Sequence, residues 1–158
     1  KHSGILTMEF ADLDDLYQEV ILDHYRNPRN RHRLEQYDIH AKGFNPFCGD
    51  EVVLEAKLDD QGCISEVSFD GTGCSISMAS ASIMTERLKG KSLTEIADLT
   101  NSFKSMMRGE EIGEEHREEI EDLKVLEGVK KYPIRIKCAL LPLTALEEGI
   151  KAYRAKTR

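Results

Sequence analysis

Residues 51–58 (EVVLEAKL) and 63–69 (CISEVSF) decide the fold. Both runs are rich in Val, Ile, Leu and Phe, and Asp59-Asp60-Gln61-Gly62 between them is a turn signal, so they read as a β-hairpin. Period two puts Cys63, Val67 and Phe69 on one face, which makes Cys63 a small apolar residue at or near the core. Upstream, a further strand is expected within 38–44. Downstream, Gly71-Thr72-Gly73-Cys74 forms a tight loop into a Ser/Ala-rich helix over 75–89, with Ile76, Ala79, Ser80, Ile83, Met84 and Leu88 on one stripe. The fold class is α+β: an antiparallel sheet of about three strands with helices packed on one face.

The remaining elements follow by periodicity. Leu13, Leu16, Tyr17, Val20, Ile21 and Tyr25 recur at steps of three and four, giving an amphipathic helix over 11–25 that Asn27-Pro28 stops. The basic run 24–33 (HYRNPRNRHR) reads as a solvated loop or a contact for an acidic partner, in preference to a phosphate-binding patch. Ser92-Leu93-Thr94-Glu95 is a capping box opening a helix with Leu93, Ile96, Leu99, Phe103 and Met106 inward. Residues 110–122 (EEIGEEHREEIED) read as a solvated helix face with a loop, with an exposed His116; the sharper reading is a docking surface for a basic partner. Tyr132-Pro133 breaks the chain. A last helix over 138–153 turns Leu143, Leu146, Ile150 and Tyr153 inward, with Pro142 in its first turn.

The chain of 158 residues suits one domain, expected over 8–158, with 1–7 as a leader. A net charge of −7 argues against nucleic-acid and anionic-membrane binding. No apolar run approaches the roughly 18 residues of a membrane span, and 1–7 has no signal-peptide stretch. The four cysteines are then expected as reduced thiols in a cytoplasmic setting.

Three of those thiols have suggestive settings. Cys48 lies in Asn45-Pro46-Phe47-Cys48-Gly49-Asp50, where Cys48 and Asp50 can face one point in an extended stretch. Cys74 precedes a helix, and Cys138 lies at the start of the expected last helix. Both would feel the positive end of a helix, which lowers a thiol pKa. Three thiolates and one carboxylate complete a tetrahedral metal set, with the harder carboxylate the readier to exchange. Spacing alone leaves three separately buried cysteines as the other reading.

Three motifs carry a resemblance: Asn45 to Asp50, Gly71-Thr72-Gly73-Cys74-Ser75-Ile76-Ser77, and Arg135-Ile136-Lys137-Cys138-Ala139. With Leu16 to Pro28 (LYQEVILDHYRNP), they resemble the IscU/NifU-like iron–sulfur cluster assembly proteins over essentially the whole chain. Lys137 stands where IscU-type members carry a His, Gly128 to Pro133 replaces their Leu-Pro-Pro-Val-Lys stretch, and the Cys74–Cys138 gap is longer. These features resemble the SufU-type branch. The resemblance implies Zn²⁺ on Cys48, Asp50, Cys74 and Cys138. It implies zinc-dependent sulfur transfer from a SufS-type cysteine desulfurase, with Cys48 as persulfide acceptor and the sulfur passing to downstream cluster-assembly proteins. Arg135 and Lys137 are the expected supporting cations. The alternative within the resemblance is a scaffold that builds a labile [2Fe–2S] cluster on the same residues for apo-proteins.

Overall fold

The computed structural model describes residues 15–157. The expected leader 1–7, the start of the first helix and Leu13 lie outside the described residues, as do the side chains of residues 15–18, Leu16 and Tyr17 among them. Element order is α1 (Asp15–Arg26), β1 (Ile39–Asn45), β2 (Asp50–Leu58), β3 (Ile64–Thr72), α2 (Ser75–Leu88), α3 (Leu93–Met107), α4 (Glu114–Glu119), a 3-10 stretch (Glu121–Lys131) and α5 (Pro133–Lys156).

The strands form one antiparallel sheet in the order β1-β2-β3. Its covered face is built from Ile39, Ala41, Val52, Leu54, Ala56, Ile64, Val67 and Phe69, all buried. On the other face His40, Lys42, Phe44 and Glu51 are exposed. Cys63 departs from expectation. The register slips between Lys57 and Leu58, so that Lys57 pairs with Glu66 but Leu58 with Ile64. The extra residue reverses the side-chain alternation, as a bulge does. Ile64 therefore enters the core, while Cys63 is only half-buried and its backbone bridges Ser92.

Helix α5 lies against β1 and β2, while α2 contacts β3, α1, the 3-10 stretch and α5. Close approach of α5 to β1 depends on absent side chains: a Cβ at Gly149 would lie 2.7 Å from Ala41 Cβ, and one at Gly43 2.9 Å from Ala145 Cβ. Surrounded in this way, α2 buries Ser75 through Thr85 and Leu88, not the single stripe expected. A helix covered on all sides has no periodic polarity to read. The α3 capping box forms as expected, Ser92 Oγ accepting from Glu95 N–H and Glu95 accepting from Ser92 N–H.

The start of the last helix differs. Helix α5 begins at Pro133, not at 138, because Pro133 fits a first helical position. Cys138 is therefore inside the helix and Pro142 lies in its interior. Pro142 has no N–H to donate to the Cys138 carbonyl four residues back, and the ladder loosens there; the Ser80 hydroxyl donates to the Ala139 carbonyl at 2.7 Å. The acidic tract is solvated through α4, which buries nothing, and His116 is exposed there as expected. The chain then folds inward: Ile120, Leu123, Leu126 and Val129 are buried.

The basic run finds its carboxylates within the chain. Arg29 pairs with Asp23, Arg31 with Asp70, and Arg33 with the buried Glu55. Phe69 N–H donates to the Asn30 carbonyl, so this segment covers part of the β3 edge.

Candidate metal centre

The β1–β2 connection is short, and its register sets Asn45 directly opposite Asp50. Cys48 sits in that connection ahead of Gly49, whose φ of +70° favours glycine. Asp50 opens β2 and is fully buried. Its Oδ1 accepts the Cys74 N–H at 2.8 Å, which ties the start of β2 to the N-cap of α2. Gly73 makes that contact possible: a Cβ there would lie 2.5 Å from Asp50 Oδ1 and 2.7 Å from Ser77 Oγ.

The other two thiols arrive from helices. Cys74 caps α2 and its sulfur accepts the Ser77 N–H at 3.5 Å. Cys138, fully buried in α5, places its Sγ 3.1 Å from Cys48 Sγ. One ligand atom from each of Cys48, Asp50 and Cys138 lies within 4.8 Å of the others. Cys74 stands just outside that mutual set, with its Sγ 3.9 Å from Asp50 Oδ2. The four expected donors thus meet at one end of the sheet, three of them tightly grouped and the fourth beside Asp50.

The electrostatics separate the thiols. A hydrogen bond from Cys138 brings the Cys74 thiol down to about 6, against burial, with Ser77 N–H assisting and Asp50 opposing. Cys138 is pushed strongly up, first by its hydrogen bond to Cys74 and then by burial. Its position inside α5 also removes the helix-terminus argument, which applies only to the first turn. Of the two expected supporting cations, Arg135 places Nη1 3.9 Å from Cys48 Sγ. Lys137 instead places Nζ over the Phe47 ring, 4.5 Å from its centroid. It braces the Cys48 loop rather than facing a thiol.

These residues fit zinc. Sulfur ligands at about 2.3 Å in a tetrahedron set neighbouring sulfurs about 3.8 Å apart; the Cys48 and Cys138 sulfurs, at 3.1 Å, would part by a few tenths of an ångström to take an ion between them, and Cys74 Sγ stands 3.9 Å from Asp50 Oδ2 on the same side. The hydrogen-bond partners of the Asp50 carboxylate include the Cys74 N–H, the Asn45 amide and the Cys74 and Cys138 side chains, none of them a cation. A buried carboxylate among such partners suits a bound cation. A cavity of about 760 Å³ opens over the site, lined by Phe47, Cys48, Cys74, Tyr132, Ile134 and Arg135 among others. Asn45, to which sequence reading gave no role, donates from Nδ2 to Asp50 Oδ2 at 3.4 Å and to Cys138 Sγ at 3.5 Å. The legible signal was its place across the turn from Asp50.

The model of the NifU-like N-terminal domain matches residues 16–139, a span containing all four donors. The zinc-dependent sulfurtransferase SufU of Bacillus subtilis is 45% identical over 140 residues, covering 89% of this chain and 92% of that protein. The iron–sulfur cluster assembly scaffold protein IscU of Streptococcus pyogenes is 38% identical over 144 residues, covering 91% and 88%. A crystal structure from Fervidobacterium islandicum, described as a candidate SUF-system scaffold, superposes with a TM-score of 0.75 at 34% identity, covering 84% of this chain and 94% of that one. The chain belongs to the NifU-like N-terminal domain family, the group that its three cysteine motifs resemble.

Proposed function

We propose that this protein serves iron–sulfur cluster biogenesis as a zinc-dependent sulfur carrier, taking persulfide sulfur from a SufS-type cysteine desulfurase onto Cys48. The observation that carries the reading is the asymmetry of the donor set. Asp50 and Cys138 are fully buried on regular elements, whereas Cys48 is half-buried on a loop at the mouth of the cavity. Cys48, Asp50, Cys74 and Cys138 would hold the metal. Zinc, when bound, keeps thiols deprotonated and shields them from oxidation.

The residues supply the rest. The Cys48 thiolate attacks the outer sulfur of the partner's cysteine persulfide. A new bond forms between Cys48 Sγ and that sulfur, the partner's S–S bond breaks, and its own cysteine leaves as thiolate with the bonding pair. Arg135 holds positive charge beside Cys48 throughout. Phe47 and Ile134, both exposed, flank the mouth and offer apolar contact to a docking partner. No helix among the described residues is long and apolar enough to cross a membrane, and a reducing, cytoplasmic setting suits a carrier with free thiols.

The test is desulfurase turnover with and without this protein. Wild type with zinc as its only metal should stimulate turnover; Cys48→Ala should retain appreciable zinc and fail to stimulate. Stimulation by Cys48→Ala at the wild-type rate removes Cys48 as acceptor. The scaffold alternative uses the same donors and rests on the kinship with IscU-type proteins. It predicts iron and visible absorbance after anaerobic loading, with no need for stimulation by the zinc form.

A further inference from the structure

We propose that Asn45 is a positioning residue: it binds Asp50 and Cys138 into one fixed unit and separately moors the loop of Cys48. The inference rests on the reading of these donors as a metal centre, and goes beyond it in assigning a positioning role to a residue that is not itself a donor.

Asn45 is 5% exposed and ends β1. Its amide nitrogen reaches Asp50 on β2 and Cys138 on α5, two donors 88 positions apart in the chain. Its side-chain carbonyl faces the other way and accepts the Phe47 N–H at 3.3 Å. One buried side chain therefore spans three pieces of the site. The amide end works on groups already held by a strand and a helix, and so sets their spacing. The carbonyl end works on the one segment without regular structure, where Gly49 has open space about its α-carbon. The same loop is braced further by Lys137 over the Phe47 ring and, at Cys48 itself, by Cys138 Sγ and Arg135 Nη1. Second-layer partners of this kind orient ligands and change metal affinity about 10–100-fold when removed.

The test compares wild type with Asn45→Ala and, should that variant fold poorly, Asn45→Ser. Peptide mapping reads the rate of iodoacetamide alkylation at Cys48 relative to the distant Cys63, in zinc-loaded and metal-free protein. Chelator competition reads zinc affinity, and thermal unfolding of the metal-free form controls for the fold. The expected result is a Cys48-to-Cys63 ratio raised about fivefold or more in both forms, with zinc affinity lowered about tenfold and metal-free unfolding within a few degrees of wild type. Ratios and affinity within about twofold of wild type overturn the proposal. Wild type that takes up no zinc sinks the metal-centre reading instead, and the metal-free alkylation ratio then decides Asn45 alone.

Discussion

The sulfurs of Cys48 and Cys138 stand 3.1 Å apart although 90 positions separate the residues in the chain. Two thiols this close need only a small approach to reach the roughly 2.05 Å of a disulfide. Metal-free protein treated with a mild oxidant should therefore join these two, leaving Cys63 free. Non-reducing peptide mapping checks it, and bound zinc should slow the reaction about tenfold or more by withholding the thiolates. A dominant pairing through Cys63 would contradict the geometry.

Gly73→Ala tests the site without substituting a donor. The added methyl group collides with the Asp50 carboxylate and the Ser77 hydroxyl. Zinc affinity by chelator competition should fall about tenfold or more, comparable with the loss of an outer-layer partner. An unchanged affinity would mean that Asp50 is not held where the ion needs it.

Asp50 has one observed duty, accepting the Cys74 N–H, and one proposed, holding the metal, and substitution can separate them. Asp50→Ala removes both the ligand and the acceptor for the Cys74 N–H, so the metal-free protein should lose about 1–3 kcal/mol, the cost of an orphaned buried donor. Asp50→Asn keeps an acceptor and loses the charge. Its metal-free stability should lie nearer wild type while zinc affinity still falls. Thermal melts and metal titrations of the pair give the comparison.

His24 makes stability depend on pH. It is buried, its Nδ1 2.8 Å from Ser82 Oγ, and burial, with Arg29 adding to it, holds its pKa below the ordinary value of 6.5. The unfolded chain then takes up a proton at a higher pH than the folded one. The stabilisation is complete above about 6.5 and declines as pH falls from there towards the folded value. Melting temperature should drop between pH 7 and pH 5.5, and His24→Gln should flatten that segment of the curve. Parallel curves for the two proteins would assign the drop to other groups.

Chelation should lower the melting temperature without abolishing a cooperative transition, because the core of sheet and helices is extensive without the metal. Hydrogen exchange should quicken first over 46–49. Global unfolding on chelation would show that the core does not suffice.

The sheet was legible because half-covered strands alternate visibly, as Val52, Leu54 and Ala56 do. Helix α3 was legible because its stripe and capping box agree. Helix α2 was legible in its bounds, between the Gly71–Gly73 loop and Gly90, but not in its burial, since neighbours on every side leave no polar face. Tyr132-Pro133 reads equally as a break or as a helix start, and only the packing of α5 decides between them. Cys63 was misplaced by one inserted residue, which sequence alternation cannot register. The convergence of Cys48, Asp50, Cys74 and Cys138 came from motif resemblance; spacing along the chain carries no information on a meeting that depends on how α5 lies across the sheet. Asn45 was hidden because an amide in a turn ordinarily serves the turn.

That α5 brings in Cys138 has a consequence for biosynthesis. Cys48, Asp50 and Cys74 emerge from the ribosome long before the segment that completes the set. A nascent chain therefore offers an ion only a partial grip until α5 has been made and docked. A metal held by all four residues would thus report that α5 has taken its place across the sheet.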